Sequence, residues 1–145
     1  MKILIDADGS PVRKIVVRLA KEFQIPLIII NNVNHQIEED YGECIMVDSG
    51  HDVADHAIVA RVQKGDLVVT QDYGLAALVL GKQGYALHQD GWMFTNDNID
   101  RLLMRRHLAQ QMRRAHKRPP VIKKRTKQQD AAFEKALLKF VQSNM

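Results

Sequence analysis

Ile3-Leu4-Ile5-Asp6-Ala7-Asp8-Gly9-Ser10-Pro11, residues 3–11, is the stretch that decides the fold. An apolar run stops at two aspartates one residue apart, and a glycine, a serine and a proline follow. Beyond them apolar residues recur at helical spacing: Val12, Ile15, Val16, Leu19 and Phe23. The pattern predicts a buried strand, a loop bearing two carboxylates, and a helix capped by Ser10 and begun by Pro11. Two carboxylates so close repel one another, and burying them is costly unless something positive sits between them. A divalent cation is the usual partner for such a cluster of hard oxygen ligands.

The same strand-then-turn pattern returns down the chain. Leu27-Ile28-Ile29-Ile30 is a continuous apolar run, as in a strand covered on both faces. Cys44-Ile45-Met46-Val47 reads as a third strand ending at Asp48, with Cys44 as a small core residue and Glu38, Glu39 and Asp40 solvated before it. Asp52 is placed to cap the next helix, with Asp55 at its third position, and Gly65 ends that helix. Leu67-Val68-Val69-Thr70 is a fourth strand running into Gln71-Asp72-Tyr73-Gly74. A short helix over about 75–80, a strand over 85–88, and a loop over 89–95 containing Trp92 and Phe94 come next. A long helix starts at Asn96 or Asp97 and runs to about His116, its apolar positions being Ile99, Leu102, Leu103, Leu108 and Met112. Pro119-Pro120 breaks it, a basic linker follows to Lys127, and a last helix over about 129–141 carries Phe133, Leu137, Phe140 and Val141 on one face.

Strands alternating with helices predict an α/β fold: a three-layer parallel sheet of about four to five strands with helices on both faces. At 145 residues one domain accounts for the chain, with the basic helix and linker (about 97–127) and the terminal helix packed on it. In such folds ligands bind outside the carboxyl ends of the strands, near the point where strand order reverses. That rule puts Asp6, Asp8, Asp48, Asp52, Asp55 and Asp72 on one rim. If the first and fourth strands are neighbours, Asp6, Asp8 and Asp72 converge.

Apolar residues make up 46% and charged residues 26%, as in a soluble globular protein. No apolar run approaches the length of a membrane span, and the start shows no signal-peptide pattern, so a cytoplasmic protein with no membrane partner is expected. A single cysteine excludes an internal disulfide and a cysteine-rich zinc site. The net charge of +4 hides a split. Residues 1–100 hold 8 Lys/Arg against 15 Asp/Glu, whereas residues 101–145 hold 13 against 2. From Arg101 to Lys127 there are 11 basic residues and no acid. An acidic body with a basic extension suits a polyanion such as RNA, although a charge run is also what a solvated helix face looks like.

Carboxylates gathered on one rim suit Mg²⁺ or Mn²⁺, and a pair of such ions can clamp the attacking and leaving oxygens of a phosphodiester. Asp6 and Asp72 are the expected ligands, with Asp8, Asp52 and Asp55 completing the set or orienting water. Ser10, Thr70 and Gln71 are placed to hydrogen-bond a phosphate, and Arg105, Arg106, Arg113 and Arg114 to bind the substrate backbone. Plainer roles exist for each acid: Asp8 and Asp52 as cap or turn residues, Asp48 and Asp72 as turn formers. His51 and His56 flank the Asp52–Asp55 pair and read more simply as surface groups than as transition-metal ligands. Two other functions fit parts of the pattern. One is a non-catalytic nucleic-acid-binding module. The other is a haloacid-dehalogenase-like phosphatase with Asp6 as nucleophile and Asp8 as acid, which needs Lys64 or Lys82 at the site. The sequence leaves open a homodimer.

Asp-Ala-Asp-Gly-Ser-Pro-Val at 6–12, Ser-Gly-His-Asp-Val-Ala-Asp at 49–55 and Gly-Asp-Leu-Val-Val-Thr-Gln-Asp-Tyr-Gly-Leu-Ala at 65–76 resemble the YaiI/YqxD family, bacterial proteins related to PIN-like nuclease domains. The resemblance covers nearly the whole chain. It implies a PIN-like fold and Mg²⁺- or Mn²⁺-dependent ribonuclease chemistry. It assigns the acids of strands one and four to Asp6 and Asp72, and those of the middle helix to Asp52 and Asp55. The chain departs from many members at Gly9-Ser10, where they carry Ala-Cys, and its middle acids are Asp where PIN nucleases often have Glu.

Overall fold

A computed structural model describes residues 1–7, 10–32, 39–50, 52–114 and 124–144. The strands are β1 (Ile3–Asp6), β2 (Leu27–Asn32), β3 (Glu43–Val47), β4 (Leu67–Val69), β5 (Tyr85–Leu87) and β6 (Met93–Phe94). The helices are α1 (Arg13–Glu22), α2 (Val53–Arg61), α3 (Tyr73–Gly81), α4 (Asn96–Arg114) and α5 (Lys127–Asn144). The sheet order is β3-β2-β1-β4-β5-β6, parallel through β5, with β6 antiparallel at the edge. The α/β architecture read from the sequence is therefore present, with six strands rather than four or five. The extra strand lies in the segment expected to be a loop. It is two residues long and paired with Ala86 and Leu87, too short to leave a periodic signature.

The alternation of β1 sorts its side chains between two cores. Ile3 and Ile5 point into a core with Leu67, Val69, α1 and α5. Leu4 points the other way, with Val68, against α2, α3 and Ile99 of α4. The predicted apolar face of α5 is confirmed: Phe133, Leu137, Phe140 and Val141 are all buried. Two contacts fix α5 against the loop after β5. Gly91 sits at φ +92° where an added Cβ would lie 2.7 Å from the Ala132 carbonyl oxygen, so only glycine lets the loop touch the helix. Arg125 donates to Asp130 at 2.6 Å, to Asp90 at 3.0 Å and to the Gln89 carbonyl at 2.7 Å. The end of the basic linker is thus a clamp.

Several local expectations fail for definable reasons. α1 begins at Arg13, with Val12 at the N-cap and no side-chain cap, because Pro11 and Val12 are spent in a turn. Asp52 does occupy the N-cap of α2, but in a left-handed conformation (φ 63°) with no capping bond from its side chain. The predicted capping box does not form, and the carboxylate faces elsewhere. Cys44 is exposed, because β3 is an edge strand without a helix packed over that residue. Glu39 is not left to solvent but accepts from Arg13 Nε at 3.0 Å. Leu108 and Met112 of α4, expected on an apolar face, are exposed along with Met104, since none of the described residues covers that part of the helix. Asp8, His51, the predicted end of the long helix at 115–116, Pro119-Pro120 and the first three residues of the basic linker lie outside the described residues.

At the opposite end of the sheet from the carboxyl ends of the strands, Asp66 is buried. It accepts from the Lys2 amide at 3.0 Å, from Lys2 Nζ at 2.6 Å and from the Gln63 amide at 2.8 Å, stitching the start of β1 to the turn before β4. Burial pushes its carboxyl up, but the bonds from Lys2 and Gln63 prevail and hold it below the ordinary range. Asp66→Ala strands three donors and is expected to cost about 2–3 kcal/mol, read as a lower urea midpoint at unchanged slope. Because the folded value is depressed, this contribution is present above the ordinary aspartate pKa and lost as pH falls through the folded one.

Candidate functional site

β1 and β4 are adjacent, and the chain leaves them in opposite directions: β1 leads toward β2 and β3, β4 toward β5 and β6. The space above their carboxyl ends is the switch point where α/β sheets hold ligands. Asp6 is the last residue of β1, and Asp72 is the N-cap of α3 two residues beyond Thr70. Asp55, in the first turn of α2, comes to the same place. Burial pushes the Asp55 carboxyl up to about 6, helped by the charge of Asp72, a hydrogen bond with it, and the charges of Asp6 and Asp52. Four aspartates from three separate turns thus repel one another across one rim.

Asp72 has two duties. Its Oδ1 accepts from the Gly74 amide at 2.8 Å and the Leu75 amide at 3.2 Å, starting α3, while its own amide donates to Thr70 Oγ1 at 2.9 Å. The turn-forming and site roles weighed for this residue are therefore compatible, because the cap is what aims the carboxyl. Around it lie three hollows that all share Asp72. One, of about 160 Å³, is lined by Asp6, Ser10, Asp55, Thr70, Gln71 and Gln89. A second, of about 280 Å³, adds Asn32, Asp48 and Asp52. A third, of about 370 Å³, lies between Gln71, Tyr73 and Arg106.

The structure thus brings together Asp6, Asp52, Asp55 and Asp72 with Ser10, Thr70 and Gln71. Of the four arginines singled out, Arg106 reaches the site, its Nη1 standing 3.7 Å from Asp72 Oδ1. Arg105, Arg113 and Arg114 lie exposed along α4. Lys64 precedes β4, and Lys82 ends α3 and donates to the Val59 carbonyl at 2.6 Å. Both stand at the far end of the sheet from Asp6, so neither supplies the lysine that the phosphatase chemistry needs. Asn32, Gln89 and Tyr73 were not foreseen. The strand-end rule applied to β2 and β5, rather than to acids alone, finds the first two.

The donor chemistry fits a hard divalent cation: carboxylate oxygens, partly open to water, held in mutual repulsion that positive charge relieves. As they stand, no three His, Cys, Asp or Glu side chains among the described residues are grouped to hold a metal ion. Among the described residues no helix is long and apolar enough to cross a membrane.

Comparison with known proteins bears out the resemblance. The UPF0178 protein of Alkaliphilus oremlandii is 48% identical over all of this chain and 94% of its own length. That of Ruminiclostridium cellulolyticum is 48% identical over 97% of this chain and 92% of its own, and that of Enterococcus faecalis 43% over the whole of both. Among solved structures, a variant of Rae1 (YacP) from Bacillus subtilis is similar with a TM-score of 0.45 and 14% identity, covering 97% of this chain and 92% of that one. The model of the family described as "Uncharacterized BCR, YaiI/YqxD family" matches residues 4–143, and the chain belongs to the YaiI/YqxD family.

Proposed function

We propose that this protein is a divalent-metal-dependent nuclease that cleaves RNA. The observation that carries the reading is the convergence of Asp6, Asp55 and Asp72 at the switch point, where burial first and the neighbouring aspartates second raise Asp55 to about 6. Carboxylates held together against their own repulsion are what a cation site costs when its cation is away. Asp6, Asp55 and Asp72 would hold Mg²⁺ or Mn²⁺, with Asp52 at the margin, and such an ion supplies Lewis acidity and an activated water. The chain itself does the positioning. Asp72 is fixed by its cap on α3, so its second oxygen cannot wander. Thr70 and Gln71 border the same hollow and can donate to a phosphate oxygen, as can Ser10 from the turn after β1. Arg106 supplies the positive charge that offsets a phosphodiester approaching four carboxylates.

The test is cleavage of single-stranded RNA by the purified protein with Mn²⁺ or Mg²⁺. The expected result is cleavage that chelation stops and that Asp6→Asn lacks. Cleavage that survives in Asp6→Asn belongs to another protein and sinks the reading. RNA that is bound but left intact with either metal favours the binding module instead.

A further inference from the structure

We propose that the hollow between Tyr73, Gln71 and Arg106 is a subsite for one unpaired nucleotide, with the base on Tyr73 and the neighbouring phosphate on Arg106. The proposal deepens the nuclease reading and rests on it for the kind of ligand. The hollow opens at Asp72 and so adjoins the acidic rim, with a volume of about 370 Å³, on the scale of one nucleotide. Its wall is chemically unlike the other two hollows, where no aromatic ring takes part. Tyr73 is half-buried, and its ring meets Phe94 edge to face at 5.9 Å, so the ring is braced before any ligand arrives. Phe94 is in turn packed against Trp92 at 4.7 Å. A preformed aromatic platform loses little entropy on stacking a base.

Arg106 completes the subsite from the other side. Its side chain is half-exposed, and its pair with Asp72 is long, at 3.7 Å. Asp72 Oδ1 already accepts two amides, so it holds the guanidinium loosely. A phosphate, which a guanidinium grips through two parallel bonds, is a better partner than a carboxylate oxygen shared three ways. Seven residues on, two helical turns along the same face of α4, comes Arg113, about 10 Å away. That places a second cation where a strand leaving the subsite along α4 carries its next phosphates. Stacking and phosphate contact without base-edge readout is the mode of single-strand binding with little sequence preference.

The experiment measures binding of a short fluorescent single-stranded oligoribonucleotide, once with metal chelated and once in calcium, for wild type, Tyr73→Leu, Tyr73→Phe and Arg106→Gln. Tyr73→Leu is expected to weaken binding about 5- to 50-fold, the scale of one lost base stack. Tyr73→Phe keeps the ring and its contact with Phe94, and should bind like wild type. Arg106→Gln should weaken binding and lower its salt dependence by roughly one phosphate contact. The Tyr73→Leu penalty should vanish on a fully paired duplex of the same sequence. Unchanged binding by Tyr73→Leu in both conditions overturns the subsite, as does a penalty of equal size on the duplex. Melting curves of each variant separate lost binding from lost fold. Because binding is read without turnover, a subsite that stands while cleavage fails, or the reverse, tells the two readings apart.

Discussion

Asp55→Asn is expected to make the protein more stable and less active at once. With metal chelated at about pH 7, the variant should gain roughly 1–2 kcal/mol once solvent screening of a part-exposed group is allowed for. That is about 3–6 °C in melting temperature for a chain of this size. The reason lies in the rim. Asp55 is held up to about 6 by burial and by the charges of Asp72, Asp6 and Asp52, so at neutral pH the fold carries a repulsion that the unfolded chain escapes. An asparagine removes one of the four charges and offers an N–H to Asp72. The sign is checkable. A raised folded value means that this group's stabilisation is complete below the ordinary aspartate pKa and lost as pH rises through about 6. The advantage of the variant should therefore shrink toward zero as pH falls from about 7 to about 4.

His88 and Asp66 complicate the profile of either protein alone. Burial lowers His88, despite Asp90, and its contribution is lost as pH falls below the ordinary histidine range; that of Asp66 is lost lower still. Both are common to wild type and variant, so the difference between the two melting curves isolates Asp55. In the same variant, Mn²⁺-dependent cleavage should fall by roughly a hundredfold or more, as when a group that holds or orients a metal is lost. Stabilisation without loss of cleavage would leave the electrostatics intact and remove Asp55 from the chemistry.

Phe133→Ala is expected to cost about 3–5 kcal/mol, a large part of the stability of an ordinary domain. Phe133 is fully buried in the core that joins α1 and α5 to Ile3, Ile5 and Val69. The cavity cannot collapse, because the backbone beside it is already in contact: Gly91 lies against Ala132 and the Phe133 amide. A urea titration should show the loss as a lower midpoint. A cost under about 1 kcal/mol would mean that α5 does not close this core.

How much of this was legible without coordinates can be judged residue by residue. The repeated pattern of apolar run, aspartate, then helical periodicity was enough for the α/β layering, because the inner strands of a parallel sheet are buried on both faces and leave an unbroken apolar signature. Asp6 and Asp72 could be paired because strand-end position is a matter of chain order. Local detail was less accessible. Ser10 and Asp52 are ideal capping types, yet neither side chain caps: α1 starts beyond Ser10, with Val12 at its N-cap, and Asp52 holds a left-handed conformation. Cys44 was misplaced because burial at a sheet edge depends on which strand is outermost. The raised pKa of Asp55 depends on distances between turns far apart in sequence. Tyr73 gave no signal at all: beside Asp72 it looked like part of a turn, and only the approach of α4 gives it a hollow to line.

The helix that covers the β1–β4 face, α5, is the last of the described elements in chain order, and it is bolted through Arg125 and Gly91 to the loop bearing Gln89. During synthesis, the face formed by Ile3, Ile5 and Val69 therefore waits, half-covered by α1 alone, until residues near 140 have emerged. Ile3 and Leu137 belong to one core although they lie near opposite ends of the described residues, and such non-local packing slows folding. The rim over β1 and β4 is thus assembled under a timer: a nascent chain carries Asp6, Asp52, Asp55 and Asp72 long before α5 arrives to hold the loop beside them.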